Sequence, residues 1–166
     1  MQTRTKQSLY IRNFIFGVED SLVSTVGLLS GIATAVPHNT ILLTGVVYVF
    51  VEAFSMAVGS FLSEEFAEEY VAKSRVSDLM PFLGGAVMFI SFAVAGFIPI
   101  LPYLIFQGAA ALYSSILFSL VALFGLGVLN GRMSGVKPWS RAVRMAILGG
   151  LAIAIGVVVG QFFKVS

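Results

Sequence analysis

The chain has 166 residues, of which 58% are hydrophobic and 11% charged, with a net charge of +2 and a mean hydropathy of +0.97. Soluble domains run at about 25% charged residues, so this composition belongs to one integral membrane domain spanning 1–166, and so small a positive balance does not point to nucleic acid. With no cysteine and one histidine, disulfides, Cys or Cys/His metal sites and thiol catalysis are excluded from this chain alone.

The first apolar segment, about 13–35, reads "NFIFGVEDSLVSTVGLLSGIATA" and carries Glu19 and Asp20 about two turns inside it. A charged side chain near the centre of a spanning helix costs roughly 2.5–3.5 kcal/mol on insertion scales. Glu19 is long enough to reach the interface. Asp20 is too short to do so from that depth, so an intramembrane function is the default reading for it. The segment is too long for a signal-peptide core and lacks a small-residue cleavage site, so it is expected to stay as a permanent helix. Asp20, Ser24, Gly27 and Gly31 recur at i, i+4, i+7, i+11 and make a small, polar stripe suited to close packing.

The second segment, about 40–62, repeats that spacing with Glu52, Met56, Gly59 and Ser63, and Ser60 lies alongside. Glu52 sits near the midplane with nothing polar to reach. Counting 1.5 Å per residue from the same side puts Asp20 about 10 Å deep, Met56 about 9 Å and Glu52 about 15 Å, so all three can share a layer. Met56 reads equally as a thioether ligand or as core filler. Beyond it, "FLSEEFAEEYVAKSRV" has no Gly or Pro, so the helix is expected to continue out of the membrane to about 76. Glu64, Glu65, Glu68 and Glu69 then stack at i, i+4, either as a collector of divalent cations or as a solvated acidic face paired with Lys73 and Arg75.

Three further segments, about 82–98, 103–129 and 143–163, complete five spans joined by "VPHNT", the charged stretch 63–80, "PILP" and "NGRMSGVKPWSR". Arg4, Lys6, Arg12, Lys73, Arg75, Arg132, Lys137, Arg141 and Arg144 all fall on one side, and the other side has only Lys164 at the tail. The positive-inside rule therefore places the N-terminus in the cytoplasm and the C-terminus outside. Gly156 and Gly160 form a GxxxG pair with Gly149 nearby, expected to make a close helix contact within one chain. His38 reads as a loop residue, Gln107 and Ser114 as hydrogen-bonding partners of neighbouring helices, and Met88 as packing.

Three stretches carry a resemblance: "GVEDSLVSTVGLLSGIATA", "EAFSMAVGSFLSEE" and "GRMSGVKPWSRAVRMAILGGLAIAIGVVVG". In order and spacing the chain resembles the vacuolar iron transporter family, also called the yeast calcium-cross-complementer family. That resemblance implies a five-helix protomer forming a homodimer that exports Fe²⁺ or Mn²⁺ from the cytoplasm in exchange for protons. It implies that Asp20 matches the family's helix-one acid and Met56 its helix-two pathway methionine. There are two departures. The long acidic domain that plant members carry between helices two and three is reduced here to 63–80, and the family often has Glu where this chain has Ser60, whereas Glu52 lies one turn the other way.

The chemistry agrees. Carboxylates alone suit Mg²⁺ or Ca²⁺ equally, whereas an added thioether favours later metals such as Fe²⁺. Carboxylates also bind protons, and a cation that displaces them gives exchange at one site, which puts Asp20 in a cation and proton pathway and Glu19 either beside it or at its mouth. The expectation is an all-α metal transporter with partners in metal ions, protons, lipid and a second copy, needing no cofactor. A non-transporting scaffold or regulatory subunit is the alternative. An enzyme is not expected, since no nucleophile–base pair appears. The absence of a targeting extension favours a prokaryotic plasma membrane.

Overall fold

The computed structural model describes residues 2–75 and 77–163, with side chains from residue 7 onward. Lys164 lies outside the described residues, as do the side chains of Arg4 and Lys6. Five α-helices follow one another: α1 (Gln2–Ile32), α2 (His38–Ala72), α3 (Leu79–Ile105), α4 (Gly108–Met133) and α5 (Pro138–Phe162). All five are long and apolar enough to cross a bilayer. Their alternating directions gather the start of α1, the α2–α3 connection and the α4–α5 connection at one end, which holds the basic residues other than Lys164.

Helix α1 is the centre of the bundle. It touches each of the other four helices, while α2 packs chiefly on α3 and α4 chiefly on α5. Leu22, Val26 and Leu29 are fully buried along it. Leu22 joins Ala95, Leu123, Leu126 and Met145 in one apolar cluster, and Leu29 joins Ile41, Val49, Ile100 and Tyr103 in another. Between α1 and α5 the contact is backbone on backbone. A methyl group at Gly156 or Gly160 would collide with the carbonyls of Gly27 and Gly31, so these glycines are what lets the two helices approach. The GxxxG pair thus works within the chain, and α5 already covers the glycine half of the stripe on α1.

Several helix boundaries depart from expectation. Helix α3 does not stop before "PILP" but runs through Pro99 and Pro102 to Ile105. In lipid a chain break leaves a whole set of backbone groups unsatisfied, whereas a proline inside a helix removes a single bond. Ser115 Oγ on α4 braces this turn by donating to the Pro99 carbonyl at 2.6 Å. The break falls instead at Phe106 and Gln107, both extended, ahead of Gly108 at φ +60. Gln107 therefore lies just ahead of α4 and is not part of its span. At the basic end, α4 extends to Met133 and α5 starts with Pro138 in its first turn. Only 134–137 connect them, with Gly135 at φ +67 making the turn.

Helix α2 has 35 residues, about 52 Å at 1.5 Å per residue, which is longer than a hydrocarbon core of about 30 Å. The acidic stretch 64–69 lies on this one continuous helix. It ends at Ala72, a turn short of the expected 76, where Lys73 adopts the left-handed conformation at φ 53 and its N–H caps Glu69. His38 is the first residue of α2, with its ring 6.2 Å from that of Tyr103.

Candidate functional site

The site is built by three helices. Asn13, buried on α1, donates to Ser60 Oγ on α2 at 2.9 Å and to the Gly84 carbonyl on α3 at 3.0 Å. Both bonds use its NH₂ group, which leaves the amide oxygen as an acceptor. The preceding residue, Arg12, pairs with Glu64 at 2.9 Å, one turn beyond Ser60, tying α1 to the extended end of α2. Deeper in the bundle, Ser24 on α1 lies near Tyr48 on α2.

Two antiparallel contacts, 13 with 60 and 24 with 48, set the register of α1 on α2. Asp20 is then level with Glu52, and Met56 is level with Phe16 and Gly17, one turn nearer the basic end. Depth counted from the apolar boundaries had placed all three in one layer; the contacts divide them into two. In the deeper layer, the Asp20 and Glu52 carboxylates lie within charge range of one another and of Tyr48. Ser24 Oγ donates back to the Asp20 carbonyl at 2.6 Å, and Ser21 Oγ donates to the Phe92 carbonyl at 2.7 Å, fixing this turn of α1 on α3.

The shallower layer opens into a cavity of about 730 Å³ between α1, α2 and α3. Asn13, Ser55, Ser60 and Ser63 supply its polar wall, Met56 and Met88 supply sulfur, and Arg12 stands at its rim. Met88 and Asn13 are the residues that sequence reasoning missed here. Asn13 was legible only as a polar residue at the head of the first span, and Met88 is chemically neutral and gave no sign of its position.

Glu19 and Asp20 are neighbours in sequence but face different helices. Glu19 lies within charge range of Asp20 and, on the first turns of α5, of Arg144 and Arg141. Glu64 is occupied by Arg12, while Glu65, Glu68 and Glu69 are half-buried along the same helix. Among the described residues, no three or more Asp, Glu or His side chains converge as a metal site. One protomer thus brings together Asp20 and Glu52 in one layer and Met56 with Met88 in the next, and leaves the acidic stretch outside both.

On its outer side the α2 wall of the cavity is uncovered among the described residues: Ser55, Gly59 and Ser63 are exposed, and a side chain at Gly59 would meet nothing within 4 Å. This side adjoins the face that carries Glu52 and Met56.

The sequence pattern described as the VIT family matches this chain at residues 11–78 and 67–161, two pieces that overlap at the α2–α3 connection. Vacuolar iron transporter 1 of Arabidopsis thaliana is 23% identical over 205 aligned residues, covering 87% of this chain and 82% of that protein. Vacuolar iron transporter 1 of Tulipa gesneriana is 22% identical, covering 87% of this chain and 83% of its own length. Vacuolar iron transporter 1 of Oryza sativa subsp. japonica is 39% identical over 66 residues, 39% of this chain and 26% of that protein. These alignments of 205 residues exceed the 166 of this chain, so the Arabidopsis and tulip proteins carry residues with no counterpart here. All three are plant proteins named for the vacuole, and they lend no support to a prokaryotic plasma membrane.

Proposed function

The chain belongs to the VIT family, the vacuolar iron transporters, and on that premise we propose that it exports Fe²⁺ or Mn²⁺ from the cytoplasm in exchange for protons. It is a multi-pass membrane protein of a metal-transporting family, and in that role metal ions are substrates, not cofactors. The observation that carries the finer reading is the opposition of Asp20 and Glu52 across the α1–α2 cleft, with a thioether-lined cavity one turn below. Two intramembrane carboxylates cost roughly 5–7 kcal/mol together at the depth where insertion scales apply. That cost is worth bearing where the carboxylates bind a cation, and protons when the cation is gone.

The basic end supports the direction. With the arginines and lysines of α1, α4 and α5 in the cytoplasm, the cavity at Asn13, Ser60 and Met56 lies on the inward side of the carboxylates, and a cation entering there reaches the sulfur layer before them. The C-terminus then lies outside. The bare face of α2 supports a homodimer, since a second copy would cover Ser55 and Ser63 and bring a second pair of carboxylates near the first.

Uptake by purified protein in liposomes, with Fe²⁺ or Mn²⁺ on one side and an imposed pH gradient, tests the reading. Metal movement driven by the gradient is the expected result. A protein that moves neither metal under any gradient is not a transporter of them.

A further inference from the structure

Two methionines from different helices share one cavity with hydroxyls and an amide, and the neighbouring glycine makes room for one of them. Resting on the metal-transport reading, we infer that Met56 and Met88 form a two-thioether binding site for soft and borderline divalent cations, separate from the Asp20–Glu52 layer and one turn nearer the basic end.

Met88 is only 3% exposed, yet it belongs to none of the apolar clusters that hold the bundle together. Met145 shows the contrast: it is similarly buried, but inside the closed cluster of Leu22, Leu123 and Leu126. A methionine used for packing is surrounded by carbon. Met88 instead borders the cavity that Asn13, Ser60 and Met56 also line. Across from it, α1 has Gly17, where a Cβ would stand 3.2 Å from the Met88 sulfur, 3.1 Å from the Met88 carbonyl and 3.0 Å from Ser91 Cβ. The missing side chain at Gly17 is what lets the sulfur lie beside α1.

The chemistry follows from the donors. Thioethers are neutral and polarizable, so they add little attraction for a hard ion such as Mg²⁺ or Ca²⁺ but favour Fe²⁺ and softer metals over Mn²⁺. The carboxylate layer supplies charge, and the sulfur layer ahead of it supplies discrimination. Arg12 at the rim does not oppose entry in full, because Glu64 is paired with it.

The test uses the full protein in lipid bilayers, labelled with ¹³C at the methionine methyls, with Cd²⁺ as a soft diamagnetic probe and Fe²⁺ and Mn²⁺ uptake measured side by side. Met88→Leu and Met56→Leu assign the two signals, and the volume-conserving change keeps the fold. Cd²⁺ is expected to shift the Met56 and Met88 methyls and leave Met145 unmoved, and Met88→Leu is expected to lower the Fe²⁺ to Mn²⁺ uptake ratio severalfold. A Met88 methyl indifferent to Cd²⁺, or a parental ratio in Met88→Leu, overturns the site while transport by the parent protein still stands. Shifts at both methyls in a protein that transports neither metal uphold the site and overturn the transport reading. No shift and no transport overturn both.

Discussion

Asn13 on α1 and Ser60 on α2 are joined by a hydrogen bond of 2.9 Å, and that bond holds the register in which Asp20 faces Glu52. The contact between α1 and α2 is otherwise sparse, so few other interactions resist sliding of one helix along the other. Hydrogen bonds between membrane helices average about 0.6 kcal/mol, and Asn13 makes two. Asn13→Leu is expected to lower stability by about 1 kcal/mol, read as a shift in the unfolding midpoint in mixed detergent. It is also expected to impair transport by more than so small a loss of fold would explain. A variant with parental transport would show that register does not depend on this bond.

The α1–α5 contact makes a sharper stability prediction. A methyl at Gly160 meets the Gly31 carbonyl, which is backbone and has nowhere to retreat, while a methyl at Gly150 on the same helix meets nothing within 4 Å. Gly160→Ala is expected to cost about 1–3 kcal/mol through forced separation of the helices. Gly150→Ala is expected to be neutral or slightly stabilising, since alanine is the better helix former. Equal unfolding midpoints for the two variants would mean that α1 and α5 are not held this closely.

The five spans could be read from hydropathy because nothing but a membrane accounts for so many long apolar runs, and Asp20 and Glu52 stood out because charge is rare at that depth. The end of α3 could not be read in the same way. Pro99 and Pro102 are stop signals in water, where a broken helix is rescued by solvent, but in lipid the helix continues through them. Nor could the register of α1 on α2 be read. Apolar boundaries locate a helix only to within a turn or so, and the bond of Asn13 to Ser60 and the nearness of Ser24 to Tyr48 are tertiary features. Met88 stayed hidden for a different reason. A neutral apolar side chain looks the same in a sequence whether it borders carbon or a polar cavity.

Asp20→Asn and Glu52→Gln are each expected to abolish or strongly reduce metal uptake while preserving the fold. Each amide keeps the shape of the acid it replaces but loses the charge that binds a cation. Removing an intramembrane charge also lowers the cost of insertion, so both variants should accumulate in the membrane as well as the parent or better. Side-by-side measurement of membrane abundance and liposome uptake separates the roles. Lost expression would mark these residues as structural, and retained uptake in either variant would remove that carboxylate from the pathway.

The unpartnered face of α2 predicts where two copies meet. Ser55, Gly59 and Ser63 lie along one side of the helix, and rows of small residues let membrane helices approach until backbone packing and polar contacts replace lipid. The glycines of α1 are not free for this purpose, because α5 already covers Gly27 and Gly31. A chain with no cysteine permits a clean test, since each introduced thiol is the only one in its protomer. Ser55→Cys and Ser63→Cys are expected to form disulfide-linked dimers in native membranes on mild oxidation. Val158→Cys, on the exposed side of α5 at 64% exposure, is expected to stay monomeric under the same conditions. Crosslinking at Val158 with none at Ser55 or Ser63 would move the contact to α5 and leave the Asp20–Glu52 cleft facing lipid, a position in which two carboxylates have no reason to persist.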